Sequence, residues 1–252
     1  VDRLVGSEMC IRDRSENGRS PGPFDRAALP TKRGTHSTAL IKNMAKIKNV
    51  VFDLGGVLIE WDPRYFYRKL LPDEKAVDHF LREVCSPEWN VRQDAGRTIA
   101  EAEDELIHRF PQEETLIRAY YERWEEMLGG PIEETVEVLS ELKDKSVPFY
   151  ALSNWSAETY STAVGLYQFL KWFDGEVISG QVKMIKPDAE IYLHLLNSFN
   201  LQAEETVFID DRQDNIEAAE KLGIKGIRFT SPGHLKEESV SYTHLRAHET
   251  IH

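Results

Sequence analysis

Cysteine is scarce in this chain: Cys10 and Cys85 are the two among 252 residues. Two cysteines cannot build a disulfide framework, so a reducing, cytoplasmic setting is expected. Long apolar runs are also missing. A helix crossing a bilayer needs about 20 mostly apolar residues, and no such run occurs, so no membrane partner is expected. The opening residues lack the apolar core and small-residue cleavage site of a secretion signal. Positive charge is in deficit: 31 Lys+Arg against 43 Asp+Glu give a net charge of −12. Nucleic-acid binders neutralise phosphates with an excess of Lys and Arg, so nucleic acid is not an expected partner. What remains is an acidic globular protein, long enough for one large domain or for a domain with an insertion.

The ends differ in composition from the middle. Residues 1–43 are rich in Arg, Ser, Gly and Pro and carry no helical or strand period. Residues 240–252 hold three of the eight His. Both are read as non-native or disordered tails. Segments 7–14 and 240–250 resemble translated sequencing-adapter remnants, which implies a biological start at Met44.

Between the tails the hydrophobic period changes twice. Residues 47–54 (IKNVVFDL) form a β-branched apolar run stopped by Gly55-Gly56, the pattern of a buried strand and a tight turn. Asp62-Pro63 then opens a stretch that reads as helices to about Leu128. Its start signals are Pro72-Asp73-Glu74, Ser86-Pro87-Glu88 and the capping-box pattern of Thr98 and Glu101. Phe110-Pro111 breaks this stretch, and Gly129-Gly130-Pro131 is read as its end. From Ile132 onward, strands alternate with helices. The strands are expected at 148–152, near 176–179, at 206–209 and at 226–229, and the last helix stops at Gly223. Such alternation predicts an α/β fold with a doubly wound parallel sheet. The expected core is 44–60 plus 130–239, with 61–129 inserted as a helical cap.

In an open parallel sheet, ligands bind outside the carboxyl ends of the strands. There this chain places Asp53, Ser153-Asn154 and Asp210-Asp211, with Lys186 on a nearby loop. Carboxylates gathered with a hydroxyl and an amine describe a site for a metal and an anion, because the carboxylates repel unless a divalent cation separates them. Oxygen ligands select Mg²⁺, and the anion is read as phosphate.

Four motifs in order, Phe52-Asp53-Leu54-Gly55-Gly56-Val57, Leu152-Ser153-Asn154, Lys186-Pro187 and the stretch from Phe208 to Asn215, resemble those of the haloacid dehalogenase (HAD) superfamily. The likeness runs over residues 46–231. It is nearest to the helical-capped phosphatases similar to α-D-glucose-1-phosphate phosphatase. It implies a Rossmann-like core and a Mg²⁺-dependent hydrolase acting on a small phosphorylated metabolite, such as a sugar phosphate. In that reading Asp53 is the nucleophile, and Asp53, the Gly55 carbonyl, Asp211 and Asn215 hold the metal. Ser153 and Lys186 hold the phosphate and also serve catalysis, assisted in holding it by backbone N–H groups near Gly55, Gly56 and Asn154. The implied alternatives are a metal-independent 2-haloacid dehalogenase and a catalytically weak phosphate-binding relative. One position departs from the pattern. Where phosphatases of the superfamily usually carry an acid two residues after the nucleophile, this chain has Gly55, which cannot move a proton.

Several residues keep two readings at this level. Asp210 either assists the metal or caps the following turn, and Asp214 either reaches a metal-bound water or starts a helix. Trp61 and Arg64 either line the substrate entrance or serve the cap hinge and its surface. Trp155 either touches substrate or closes the crevice wall. Trp89, Arg92 and Asp94 sit in a loop-like stretch that either faces the site or does not. Cys85 is read as a buried small hydrophobe.

Overall fold

A computed structural model describes residues 47–237. The tail readings lie outside these residues, as does the start at Met44. Five strands form one parallel sheet: β1 (Asn49–Phe52), β4 (Phe149–Ser153), β5 (Gly175–Ile178), β6 (Thr206–Asp210) and β7 (Lys225–Arg228). Their spatial order is β5-β4-β1-β6-β7. The first strand is therefore central, flanked by β4 and β6, with Phe52 level with both Ala151 and Ile209. That register brings Asp53, Ser153 and Asp210 to one edge.

The strands are apolar throughout because both faces are covered. On one face Val51, Leu152, Val177 and Phe208 pack on α9 (Ala189–Ser198) and α10 (Gln213–Lys221) through Ile191, Tyr192, Leu195, Ile216 and Ala219. On the other face Val50, Phe52, Phe149, Ala151, Val207 and Ile209 pack with residues of α6 (Glu133–Asp144) and α7 (Ala157–Leu166). That second cluster runs on without interruption into the helical stretch through Leu54, Phe66, Tyr67, Phe80, Trp89 and Tyr120. A four-residue helix, α8 (Ser179–Val182), follows β5 directly.

The helical stretch comprises α1 (Arg64–Tyr67), α2 (Glu74–Glu83), α3 (Pro87–Asp94), α4 (Ile99–Arg109) and α5 (Glu114–Glu122). Its start signals act as the sequence suggests. Asp73 accepts from the Ala76 amide at 2.8 Å, Ser86 accepts from Trp89, and Thr98 with Glu101 forms a complete capping box. Trp89, Arg92 and Asp94 lie on α3, so the loop-like reading of that stretch is corrected. Ser86 at its N-cap and Pro87 in its first turn nucleate a helix too short to show a clear period.

The passage around Gly129-Gly130-Pro131 also differs from expectation. It is a strand, β3 (Leu128–Pro131), paired antiparallel with β2 (Ile59–Trp61). Glycine is required there by close approach. A Cβ at Gly129 would stand 2.6 Å from a Glu60 carboxylate oxygen, and Gly130 has φ of +107°. Both chain crossings between sheet and insertion pass through this ribbon. Among the described residues, no helix is long and apolar enough to cross a membrane.

Candidate active site

Asp53 leaves β1 at the central sheet edge, where its amide still bonds Ile209 O at 2.8 Å. Its side chain is held from three sides. Oδ1 accepts from Ser153 Oγ at 2.7 Å and from the Leu54 amide at 2.7 Å, and Oδ2 lies 3.0 Å from Lys186 Nζ. Lys186 Nζ also bonds Asp210 Oδ2 at 2.7 Å. The ammonium is fully enclosed, with 1 % of its side chain exposed. Burial pushes the Asp53 carboxyl up to about 7; Lys186 opposes that shift and the Asp210 charge adds to it. Burial works against the Lys186 ammonium, yet Asp53 and Asp210 together hold its pKa above the ordinary value.

Asn154 positions this lysine. Its amide oxygen accepts from the Lys186 amide and its Nδ2 donates to Lys186 O, both at 2.9 Å. The two bonds clamp the backbone of a residue 32 positions away, so the Asn154 side chain is committed to Lys186. Asp210 matches its capping reading and also anchors two neighbouring side chains. It caps the turn through the Arg212 amide at 2.8 Å, and it receives Lys186 and the Asn215 amide nitrogen at 3.0 Å. Asp214 bonds the Arg212 guanidinium and the Asn215 amide at the start of α10, matching its structural reading.

Three carboxylates, Asp53, Asp210 and Asp211, bring oxygens within 4.8 Å of one another. Lys186 faces two of them. Asp211 titrates above its ordinary range through partial burial and the neighbouring Asp210. Gly56 is the close neighbour of Asp211: its φ is +74°, and a Cβ would meet Asp211 Oδ2 at 2.8 Å. By contrast, a Cβ at Gly55 would meet nothing within 4 Å. Asn215 Oδ1 is buried and has no hydrogen-bond partner. An orphaned buried acceptor beside carboxylates is the group that a metal-bound water would satisfy. The donor set, all oxygen and mostly anionic, fits a hard divalent cation.

The edge opens into a cavity of about 910 Å³ between sheet and insertion. Asp53, Gly55, Gly56, Ser153, Asn154, Lys186, Asp211 and Asn215 all line it, as do Trp61 and Arg64. Trp61 belongs to β2, and Arg64 reaches Asp78 of α2 at 2.6 Å. Trp155 does not line it. Its ring is buried against Trp124, its indole N–H donates to Thr159 Oγ1, and it lines a smaller side cavity with Gly55 and Asn154. Of the three α3 residues, Asp94 alone faces the cavity. Trp89 is buried and donates to Ala102 O, and Arg92 bonds Glu105. Asp78, Arg82 and Asn90 also line the cavity without any motif in the sequence to mark them, save that Asn90 stands four residues before Asp94 on α3.

A family model described as a hydrolase, haloacid dehalogenase-like hydrolase, matches residues 47–223. A sesquiterpene phosphatase of Aspergillus oryzae is 29 % identical over 189 residues, covering 73 % of this chain and 90 % of that one. A phosphorylated carbohydrates phosphatase of Thermotoga maritima is 27 % identical, over 71 % of this chain and 82 % of its own. A HAD family enzyme of Bacteroides thetaiotaomicron, solved with magnesium and inorganic phosphate, superposes with a TM-score of 0.58 at 26 % identity. The superposition covers 73 % of this chain and 95 % of that one.

Proposed function

The chain belongs to the haloacid dehalogenase-like hydrolases, and we propose that it is a cytoplasmic, Mg²⁺-dependent phosphatase of a small phosphomonoester. The observation that carries this reading is the buried Lys186 ammonium bridging Asp53 and Asp210 while Asp211 stands beside them at the mouth of the cavity. Asp53 attacks phosphorus in line and becomes an aspartyl-phosphate as the P–O ester bond breaks. Water then releases phosphate from Asp53. Ser153 turns its hydroxyl from Asp53 to a phosphoryl oxygen, and Lys186 offsets the charge spread over the others. Asp53, the Gly55 carbonyl, Asp211 and Asn215 would hold Mg²⁺, which when bound offsets phosphoryl charge and keeps Asp53 ionised.

A metal-free haloacid dehalogenase would gain nothing from Asp211 and an orphaned Asn215 oxygen in this place. The two phosphatase relatives act on very different alcohols. The lining of this cavity is mixed, with Arg82 and Asn90 beside Leu81 and Val91. A sugar phosphate is the substrate class we favour, with Arg82 and Asn90 as partners for its hydroxyls. Phosphate release from a panel of sugar and prenyl phosphates, with Mg²⁺ and with chelator, is the test. Turnover of one sugar phosphate that stops with chelator supports the reading. Halide release from 2-haloacids in chelator, without phosphatase activity, overturns it.

A further inference from the structure

Gly55 offers no side chain to carry a proton two residues after the nucleophile, and the space that a side chain at that position would occupy is open. That space borders a side cavity of about 100 Å³, lined by Gly55, Asn154 and, from across the domain gap, Asp94. Asp94 also lines the main cavity with Asp53 and Lys186. We propose that Asp94, on the inserted helix α3, is the acid and base of the phosphatase, giving a proton to the leaving group and taking one from the attacking water.

The placement of Asp94 is built in. Its backbone carbonyl accepts from Ser179 Oγ of α8 at 2.5 Å, and the same Ser179 oxygen accepts from the Trp155 amide at 2.9 Å. The end of α3 is thus tied to the loop that follows Ser153 and carries Asn154 and Trp155. The carboxyl itself faces the Ser156 backbone N–H, and Asn90 Nδ2 lies 3.4 Å from its Oδ2. Among the described residues no cation pairs with it. Arg92 and Arg97 are both spent on Glu105, and Lys183 of the loop after α8 packs under Gly96. Tyr120 and Tyr121 of α5 face it as neutral phenols, their pKa values raised by burial. Desolvation pushes the carboxyl up to about 7, where it can both give and take a proton near neutrality.

The steps balance. Asp53 forms its bond to phosphorus as the ester P–O bond breaks, and the leaving oxygen takes the Asp94 proton to depart as an alcohol. The Asp94 carboxylate then takes a proton from water as the water oxygen bonds phosphorus. The P–O bond to Asp53 breaks, and free carboxylate, inorganic phosphate and protonated Asp94 return.

The assignment rests on Asp53 being the phosphoryl acceptor, so the test separates the two. Phenyl phosphate and p-nitrophenyl phosphate are similar in size, but p-nitrophenolate leaves readily without a proton. With Mg²⁺, kcat/KM reports the steps up to Asp53 phosphorylation. Asp94→Asn should lower it about 10²-fold or more for phenyl phosphate and less than about 10-fold for p-nitrophenyl phosphate. Equal loss in a variant that melts with the wild type, or no loss, overturns the role of Asp94 and leaves that of Asp53 standing. Wild-type pH profiles decide independently if the variant does not fold. A fall of kcat/KM above about pH 7 with phenyl phosphate and not with p-nitrophenyl phosphate supports the role, and superimposable profiles overturn it. No phosphate release from either ester by the wild type overturns both assignments.

Discussion

The sheet edge and the helical insertion face the same cavity but hold their polar groups in opposite ways. At the sheet edge Asp53, Ser153, Lys186 and Asp210 are buried and bonded to one another, so each geometry is dictated by the next. On the insertion the cavity-facing charges sit in half-exposed pairs such as Arg64–Asp78, whose side chains are 40 % and 50 % exposed. An enclosed lattice of charges stays in place as substrate arrives, which is what electrostatic catalysis requires. Exposed pairs are worth about 0–1 kcal/mol and can be exchanged without harming the fold. The molecule thus separates a preorganised reaction edge from a replaceable wall. Asp94 is the insertion residue that departs from this division, since it is tied through Ser179 to the edge itself.

Perturbing the edge should give the largest effect. Asp53→Asn is expected to lower phosphatase turnover about 10⁴-fold or more, as loss of a nucleophile does elsewhere. The same change should not cost stability. An aspartate whose pKa stands at about 7 in the fold and 3.8 in the free chain is protonated more readily when folded. Stability of the metal-free protein therefore falls as pH rises from about 4 to 7, and the Asn variant should lack that share of the slope. Melting in chelator across that range reads it, and a steeper slope in the variant would contradict the buried geometry.

Lys186→Ala comes next. It leaves Asp53 and Asp210 buried together without their cation, and urea unfolding should show a loss of about 3–5 kcal/mol along with the activity. A stable, inactive Ala variant would mean that the edge is less enclosed than described. The two glycines sharpen the contrast within a single turn. Gly56→Ala should cost about 1–2 kcal/mol for its left-handed backbone, and more as the Asp211 carboxylate is displaced. Gly55→Ala should fall within about 0.5 kcal/mol of wild type, because its Cβ enters open space. Equal costs would erase the distinction. On the wall, Arg64→Ala should change stability by less than about 1 kcal/mol. It should shift KM for the natural substrate more than kcat, as loss of a binding contact does.

Much of this arrangement was legible before any coordinates. Period and capping chemistry are local, so the strands, the Asp73, Ser86 and Thr98 caps and the strand-end carboxylates could be read directly. The β2–β3 ribbon could not. Three or four residues carry too little alternation to signal a strand, and Gly129-Gly130 looked like a stop because their partner, Glu60, is remote in the chain. Nor does the chain pattern show that the Asn154 side-chain amide clamps the backbone of Lys186, a partner 32 residues away.

The sequence by itself determined which chemical groups this protein owns and which strand ends present them. Alternation and strand-end position are properties of neighbouring residues, and the parallel direction of the strands follows from them. Only the tertiary structure decided how those groups are used. Whether Lys186 meets Asp53 and Asp210, whether Asn215 keeps an unbonded oxygen, and whether Asp94 lines the open space beside Gly55 all depend on contacts between distant segments. Such contacts join segments far apart in the chain, and the burial they create turns ordinary carboxylates into perturbed ones.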